Sequence, residues 1–210
     1  MKDHDEIIDL LRTDTGWHNP NYLEELLGAL QSFGDEAVSA LADALTDPNT
    51  DLRILALKVL EYFEGDTEAA LSAMIRALED PQRIVRIAAV GPVAAFGEKA
   101  KSAVPILMRW LDSDDKFSRV SAIGHVLQID PTKVDELLPI LVEALESDDC
   151  VIQCQSVWLL GQLGELAREA VPVLKRMVDD EDSFIRREAS EALKEISGDG
   201  SVAARSDQSR

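Results

Sequence analysis

Two unrelated sequence markers recur at one interval along this chain, and that interval constrains the fold more than any single residue does. Leu45, Leu78, Leu111, Leu145 and Val178 each close an apolar helical pattern, and they stand 33, 33, 34 and 33 residues apart. Eight residues after each comes Arg53, Arg86, Arg119, Gln153 or Arg186, in the same rhythm. A fixed period of this length marks a repeat architecture in which one supersecondary unit stacks on the next. No unit hides its apolar faces alone, so stability is expected from contacts between neighbours.

Each period reads as a helix, a polar turn and a second helix. The expected pairs are 35–46 and 49–63, 66–79 and 82–96, 100–112 and 115–129, 133–146 and 149–163, and 167–180 and 182–196. Asp47-Pro48 and Asp80-Pro81 break the chain between helices, and Asp130-Pro131-Thr132 opens the fifth pair. Residues 5–12 and 20–33 form one more pair, with Trp17-His18 in its connection. That pair lacks the arginine marker and is read as an N-terminal cap, because a terminal unit has one side facing water.

The expected fold is therefore all-α, a right-handed α-solenoid (superhelix) of about six helical hairpins. It is expected as a single domain over 1–197, with a capping repeat at 1–34 and repeats at 35–65, 66–98, 99–131, 132–165 and 166–197. Residues 198–210 carry no apolar period and are expected to form a disordered tail. Small residues recur three after the marker, at Ala56, Ala89, Ala122, Ser156 and Ala189. Larger ones follow seven after it, at Leu60, Val93, Val126, Leu160 and Leu193. The small position lets helices approach and the large one fills the layer between them. Pro105, Pro139 and Pro172 share one register, in the early part of their helices, where a missing N–H costs least.

Composition narrows the partners. Lysine and arginine number 21 against 40 acidic residues, a formal net charge of −19. That argues against nucleic acid and anionic membrane, which both call for a cationic face. It favours attraction of basic partners. No apolar run reaches a membrane span, and MKDHDEIIDLL lacks the pattern of a signal peptide. Cys150 and Cys154, four apart on one helix, are poorly placed for a disulfide, which points to a reducing cytoplasm.

These residues resemble the HEAT-repeat family, especially its short bacterial type, also called HEAT-like or phycobilisome-lyase-type repeats. The likeness lies in Asp47-Pro48 to Leu52-Arg53, Asp80-Pro81 to Val85-Arg86, Asp180 to Ile185-Arg186, and the ending Leu160-Gly161-Gln162-Leu163-Gly164. It covers about residues 20–196. Gln153 departs from the pattern in place of arginine, Ser113 and Ser147 in place of the first turn acid, and Pro92 interrupts a helix. The resemblance implies a polar ladder between repeats, carried here by Asp47, Asp80 and Asp180 with Arg53, Arg86, Arg119 and Arg186, and weakened at Gln153.

Solenoids bind on the surface lined by their second helices. In this chain that surface would be concave and would vary along its length. Five past the marker come Lys58, Gly91, Gly124, Trp158 and Glu191; nine past come Tyr62, Ala95, Gln128, Gln162 and Glu195; two past come Leu55, Ala88, Ser121, Gln155 and Glu188. The candidate binding residues are Lys58, Tyr62, Gly91, Gly124, Gln128, Gln155, Trp158, Gln162 and Glu191. Two readings of Trp158 stand open: an anchor beside glycine notches for a peptide, or a cover for its own repeat. Pro92 is either a kink that shapes the groove or a tolerated irregularity. His125 reads as a half-buried structural histidine.

The sequence has no phosphate loop, no nucleophile elbow and no His-Glu pair of the kind used by di-iron hydroxylases. No metal and no cofactor are expected. The leading expectation is a non-enzymatic protein-protein interaction scaffold or adaptor that docks a protein or peptide segment, basic segments included. The alternatives are a phycobilisome-lyase-like enzyme or enzyme subunit and, behind it, a HEAT-like DNA glycosylase, which would need a cationic groove.

Overall fold

A computed structural model describes residues 2–13, 20–63, 67–113 and 115–198. The Trp17-His18 connection, residues 64–66 at the end of the 35–65 repeat, and the tail beyond Gly198 lie outside the described residues. The helices are α1 (Lys2–Thr13), α2 (Pro20–Gln31), α3 (Asp35–Ala44), α4 (Thr50–Tyr62), α5 (Thr67–Ala77) and α6 (Arg83–Ala95). They continue as α7 (Val104–Arg109), α8 (Lys116–Ile129), α9 (Val134–Ala144), α10 (Cys150–Leu163), α11 (Val171–Met177) and α12 (Ser183–Ser197). Among the described residues there is no strand, and no helix is long and apolar enough to cross a membrane.

The chain gathers into two compact units. The first runs up to Leu107 and takes in Gln128–Asp130; the second holds Met108–Leu127 and everything from Pro131 onward. In the first unit α3 pairs with α4 and α5 with α6 as antiparallel hairpins, while α1 packs on α3, α3 on α5, and α4 on α6. In the second unit α9 pairs with α10, α11 with α12, and α10 packs on α12. Like helices thus stack on like across successive repeats.

The register of small residues explains how they do so. Ala56, Ala89, Ala122, Ser156 and Ala189 all have 0% exposure, so no larger side chain fits without separating the helices. Ser156 survives there because its hydroxyl donates to Ile152 O at 2.8 Å. Leu60, Val93, Val126 and Leu160 fill the layer at 2% exposure or less. Leu193, in the terminal repeat, is only half-buried.

Between repeats the backbone reverses through glycine. Gly34, Gly97 and Gly164 have φ of 56°, 54° and 55°, a conformation that a Cβ would strain. After Gly97 and Gly164 the chain winds as 3₁₀ helix over Gly97–Ala103 and Gly164–Ala170 before α7 and α11 begin. The α-helices expected over 100–112 and 167–180 are therefore shorter. Pro105 and Pro172, each the second residue of its α segment, have no N–H to offer the preceding turn. Pro139 differs from both, since it sits inside α9. Pro92 likewise lies buried within α6, which runs on without a break to Ala95.

Candidate functional site

The site is built on the starts of the second helices. In five turns one acceptor holds the N–H two residues on: Asp47 for Asn49 (2.8 Å), Asp80 for Gln82 (2.7 Å), Ser113 for Asp115 (3.2 Å), Ser147 for Asp149 (3.2 Å) and Asp180 for Asp182 (2.8 Å). The two serines that break the acidic pattern keep this bond and give up only the charge. A second acceptor then caps the helix itself. Asn49, Asp115, Asp149 and Asp182 take the N–H of Asp51, Phe117, Val151 and Phe184. The caps fix where each second helix begins, and hence which side chains point outward.

The arginine marker first serves its own turn. Arg53 Nη1 donates to Asp47 O and Pro48 O, Arg86 Nη1 to Asp80 O and Pro81 O, and Arg186 Nη1 to Asp180 O and Glu181 O, each with one bond of 2.7 Å. Gln153 reaches Leu145 O instead, at 3.1 Å. Among the described residues of the first unit, two side-chain links between successive repeats end on a turn acid. Arg53 closes on Asp80 with Nε to Oδ2 at 2.8 Å and Nη2 to Oδ1 at 3.0 Å, both side chains buried. Arg12 reaches Asp47 at 2.7 Å. The Asp47 carboxyl is held below the usual range, by the Arg12 hydrogen bond first and then by the Asn49 N–H. In the second unit the equivalent pairs are Arg119 with Ser147 and Gln153 with Asp180, and neither can form a guanidinium–carboxylate bridge.

The outward face of the second helices is where the candidate binding residues fall. Lys58, Tyr62, Gly91, Gln128, Trp158, Gln162 and Glu191 are exposed, and Gly124 and Gln155 are half-buried. Gly124 is a packing position: a Cβ built there would fall 2.7 Å from Leu159 Cδ2. The Gln155 side-chain oxygen is enclosed. On α10 and α12 the face is continuous. Gly161 lets the two helices close, since a Cβ there would lie 3.3 Å from Ala192 Cα. Trp158, 50% exposed, therefore lies beside Glu188, Glu191 and Glu195 around one shallow notch of about 20 Å³. A notch this small seats no ligand core.

Counting from the marker misses one further exposed position on the second helices. Ile84, Phe117, Val151 and Phe184 stand two before it and are 59%, 42%, 55% and 47% exposed. Val151, Gln155, Trp158 and Gln162 are spaced four, three and four residues apart, as are Phe184, Glu188, Glu191 and Glu195, so each set shares one helix face. The same helical spacing, run one step backward, would have found them. Arg187 lies over the Phe184 ring at 4.8 Å and pairs with Glu188 at 2.9 Å, which shows that this face already engages one guanidinium.

The other singled-out groups have local roles. His125 Nδ1 donates to Ser121 O at 2.7 Å, and burial holds its pKa below the ordinary value, so the ring is neutral near pH 7. Burial, followed by the influence of Cys150 and nearby carboxylates, pushes the Cys154 thiol up, away from the reactive thiolate. Among the described residues no three His, Cys, Asp or Glu side chains converge to hold a metal ion.

A family model described as HEAT repeats matches residues 38–128 and 138–205. Among solved structures, an engineered protein from a structural genomics consortium is 20% identical, with a TM-score of 0.58 over 95% of this chain and 98% of its own. A designed armadillo repeat protein in complex with the peptide (KR)4 is 18% identical, with a TM-score of 0.54 over 91% of this chain and 98% of its own. Computationally designed armadillo repeat proteins for modular peptide recognition give 19% and 0.56, covering 90% and 98%. At these identities the likeness concerns the fold, an all-α helical repeat. No curated protein matches the chain significantly.

Proposed function

Because the chain belongs to the HEAT-repeat family, we propose that it is a non-enzymatic scaffold that docks a basic peptide segment on the α10–α12 face of its second unit. The observation that carries this reading is the half-exposed Trp158 beside Glu188, Glu191 and Glu195. An indole face and three carboxylates suit the stem and head of a lysine or arginine, the stem lying on the ring and the charge meeting an acid. Val151 and Phe184, exposed on the same face, add apolar contact on either side. The overall charge of −19 favours encounter with a cationic segment. One structural neighbour is itself a complex with the basic peptide (KR)4, which makes that peptide a convenient probe.

The test is a titration of (KR)4 followed by calorimetry, with Trp158→Ala and Glu191→Lys alongside the native chain. Each substitution is expected to weaken binding about tenfold or more, and raised salt to weaken all binding. Equal affinity in the native chain and both variants would discard this face as the docking site.

A further inference from the structure

We propose that the cleft around Arg119 in the second unit is a carboxylate-binding site, distinct from the peptide face. Its template lies in the first unit. There a cleft of about 550 Å³ is lined by Thr50, Arg53, Ala73, Ala77, Glu79 and Asp80 among others. One repeat-pair further along the sequence, the same positions hold Lys116, Arg119, Ile140, Ala144, Glu146 and Ser147, and these line a cleft of about 310 Å³. In the first cleft the Asp80 carboxylate fills the guanidinium fork of Arg53 with contacts of 2.8 and 3.0 Å. In the second, Ser147 stands where Asp80 stands. Its hydroxyl keeps the turn bond to the Asp149 N–H but brings no charge and no second oxygen.

Among the described residues, no hydrogen bond or ion pair engages the Arg119 guanidinium or the Lys116 ammonium. Arg119 is half-buried, so part of its hydration has been removed. Two carboxylates also border the cleft. Glu146 is answered by Arg176 at 3.1 Å, and Glu143 projects into solvent. Of the charged residues that line the cleft, Lys116 and Arg119 face Glu143 and Glu146, and Arg176 takes up Glu146 from outside. The fork of arginine matches a carboxylate through two parallel bonds. Val120, Ile140 and Ile152 line the rest of the cleft and suit a short apolar stem behind the charged group. The ligand class is therefore a carboxylate on a short aliphatic stem, whether a free acid or an acidic side chain of another molecule.

The test uses the full-length protein labelled with ¹⁵N, following the Arg119 Nε–H signal during titration with sodium acetate against sodium chloride at matched ionic strength. A saturable shift in the millimolar range is expected with acetate and not with chloride. End-blocked Gly-Asp-Gly and Gly-Asn-Gly form a second arm. A response to the aspartyl peptide alone assigns the site to acidic side chains, and a response to acetate alone assigns it to free acids. Arg119→Gln is expected to abolish any saturable response elsewhere in the cleft. Ser147→Asp is expected to abolish the acetate response by filling the cleft from within, and to raise the melting temperature by about 3 °C. Absence of saturation with both probes, an equal response to chloride, or a response that persists in Arg119→Gln or Ser147→Asp overturns the proposal. If Ser147→Asp does not fold, the Arg119→Gln titration decides alone.

Discussion

The Arg53 cleft of the first unit and the Arg119 cleft of the second are lined from the same sequence register, and one of their differences falls on the residue that faces the arginine. Asp80 supplies two oxygens and a charge, whereas Ser147 supplies one hydroxyl. Both turns still fold the same way, because the bond that shapes the turn needs only one acceptor. The turn and the link between repeats are therefore separable functions of one residue. The first tolerates serine, and the second requires a carboxylate. In the first unit the link is a buried charge pair, which rigidly ties neighbouring repeats. In the second unit Gln153 and Ser147 leave that buried tie neutral, so the hold between repeats there rests on packing such as that of Gly161 on Ala192 and on the exposed Arg176–Glu146 pair.

The largest test of this contrast removes the acceptor from each cleft. Asp80→Ala strands the buried Arg53 guanidinium and is expected to cost about 3–5 kcal/mol, since an unpaired buried charge is worse than no pair. Ser147→Ala loses one turn bond and is expected to cost about 1 kcal/mol. Urea unfolding of both variants checks the ratio, and equal losses would break the comparison. A smaller effect is expected from Gln153→Arg, which restores the marker opposite Asp180. It is expected to gain about 0–1 kcal/mol, because Asp180 is only partly buried and the new pair remains partly in water. The same unfolding series reads it.

The smallest effect is a matter of pH. Arg12 and the Asn49 N–H hold the Asp47 carboxyl below its usual range. A depressed acid contributes stability that is complete above the unfolded pKa, about 4, and is lost as pH falls through the lower folded value. Arg12→Gln removes the largest cause of the shift. The native chain is expected to melt above Arg12→Gln at neutral pH and to converge with it in strongly acid solution. Melting curves across that range measure the gap, and a gap independent of pH would show that Arg12 acts through packing.

Much of the fold was legible before any coordinates. The arginine register located the helix starts, and the small register three residues on located the fully buried crossings at Ala56, Ala89, Ala122, Ser156 and Ala189. Both work because each repeat meets its neighbour through the same few positions. The exposure of Lys58, Tyr62, Trp158, Gln162 and Glu191 was legible too, from their place in the register. Other features were not. Gly124 reads as a notch in sequence and is filled by Leu159 in the structure. Val151 and Phe184 are apolar and lie off the counted registers, yet they stand exposed on the same helix faces as Trp158 and Glu191. Arg12, outside the marker register, makes the link to Asp47 that no spacing announces.

The sequence alone determined the period, the helix pairs and the residue that each repeat places at its crossing, because backbone hydrogen bonding and helical phase are set within one unit. The tertiary structure decided which arginines meet a carboxylate and which apolar side chains stay wet. Those outcomes depend on side chains a whole repeat away, such as Asp80 for Arg53, or Ala192 against Gly161 beside Trp158. A charge is neutralised or left waiting by its neighbour in space, and the local pattern does not carry that neighbour's identity.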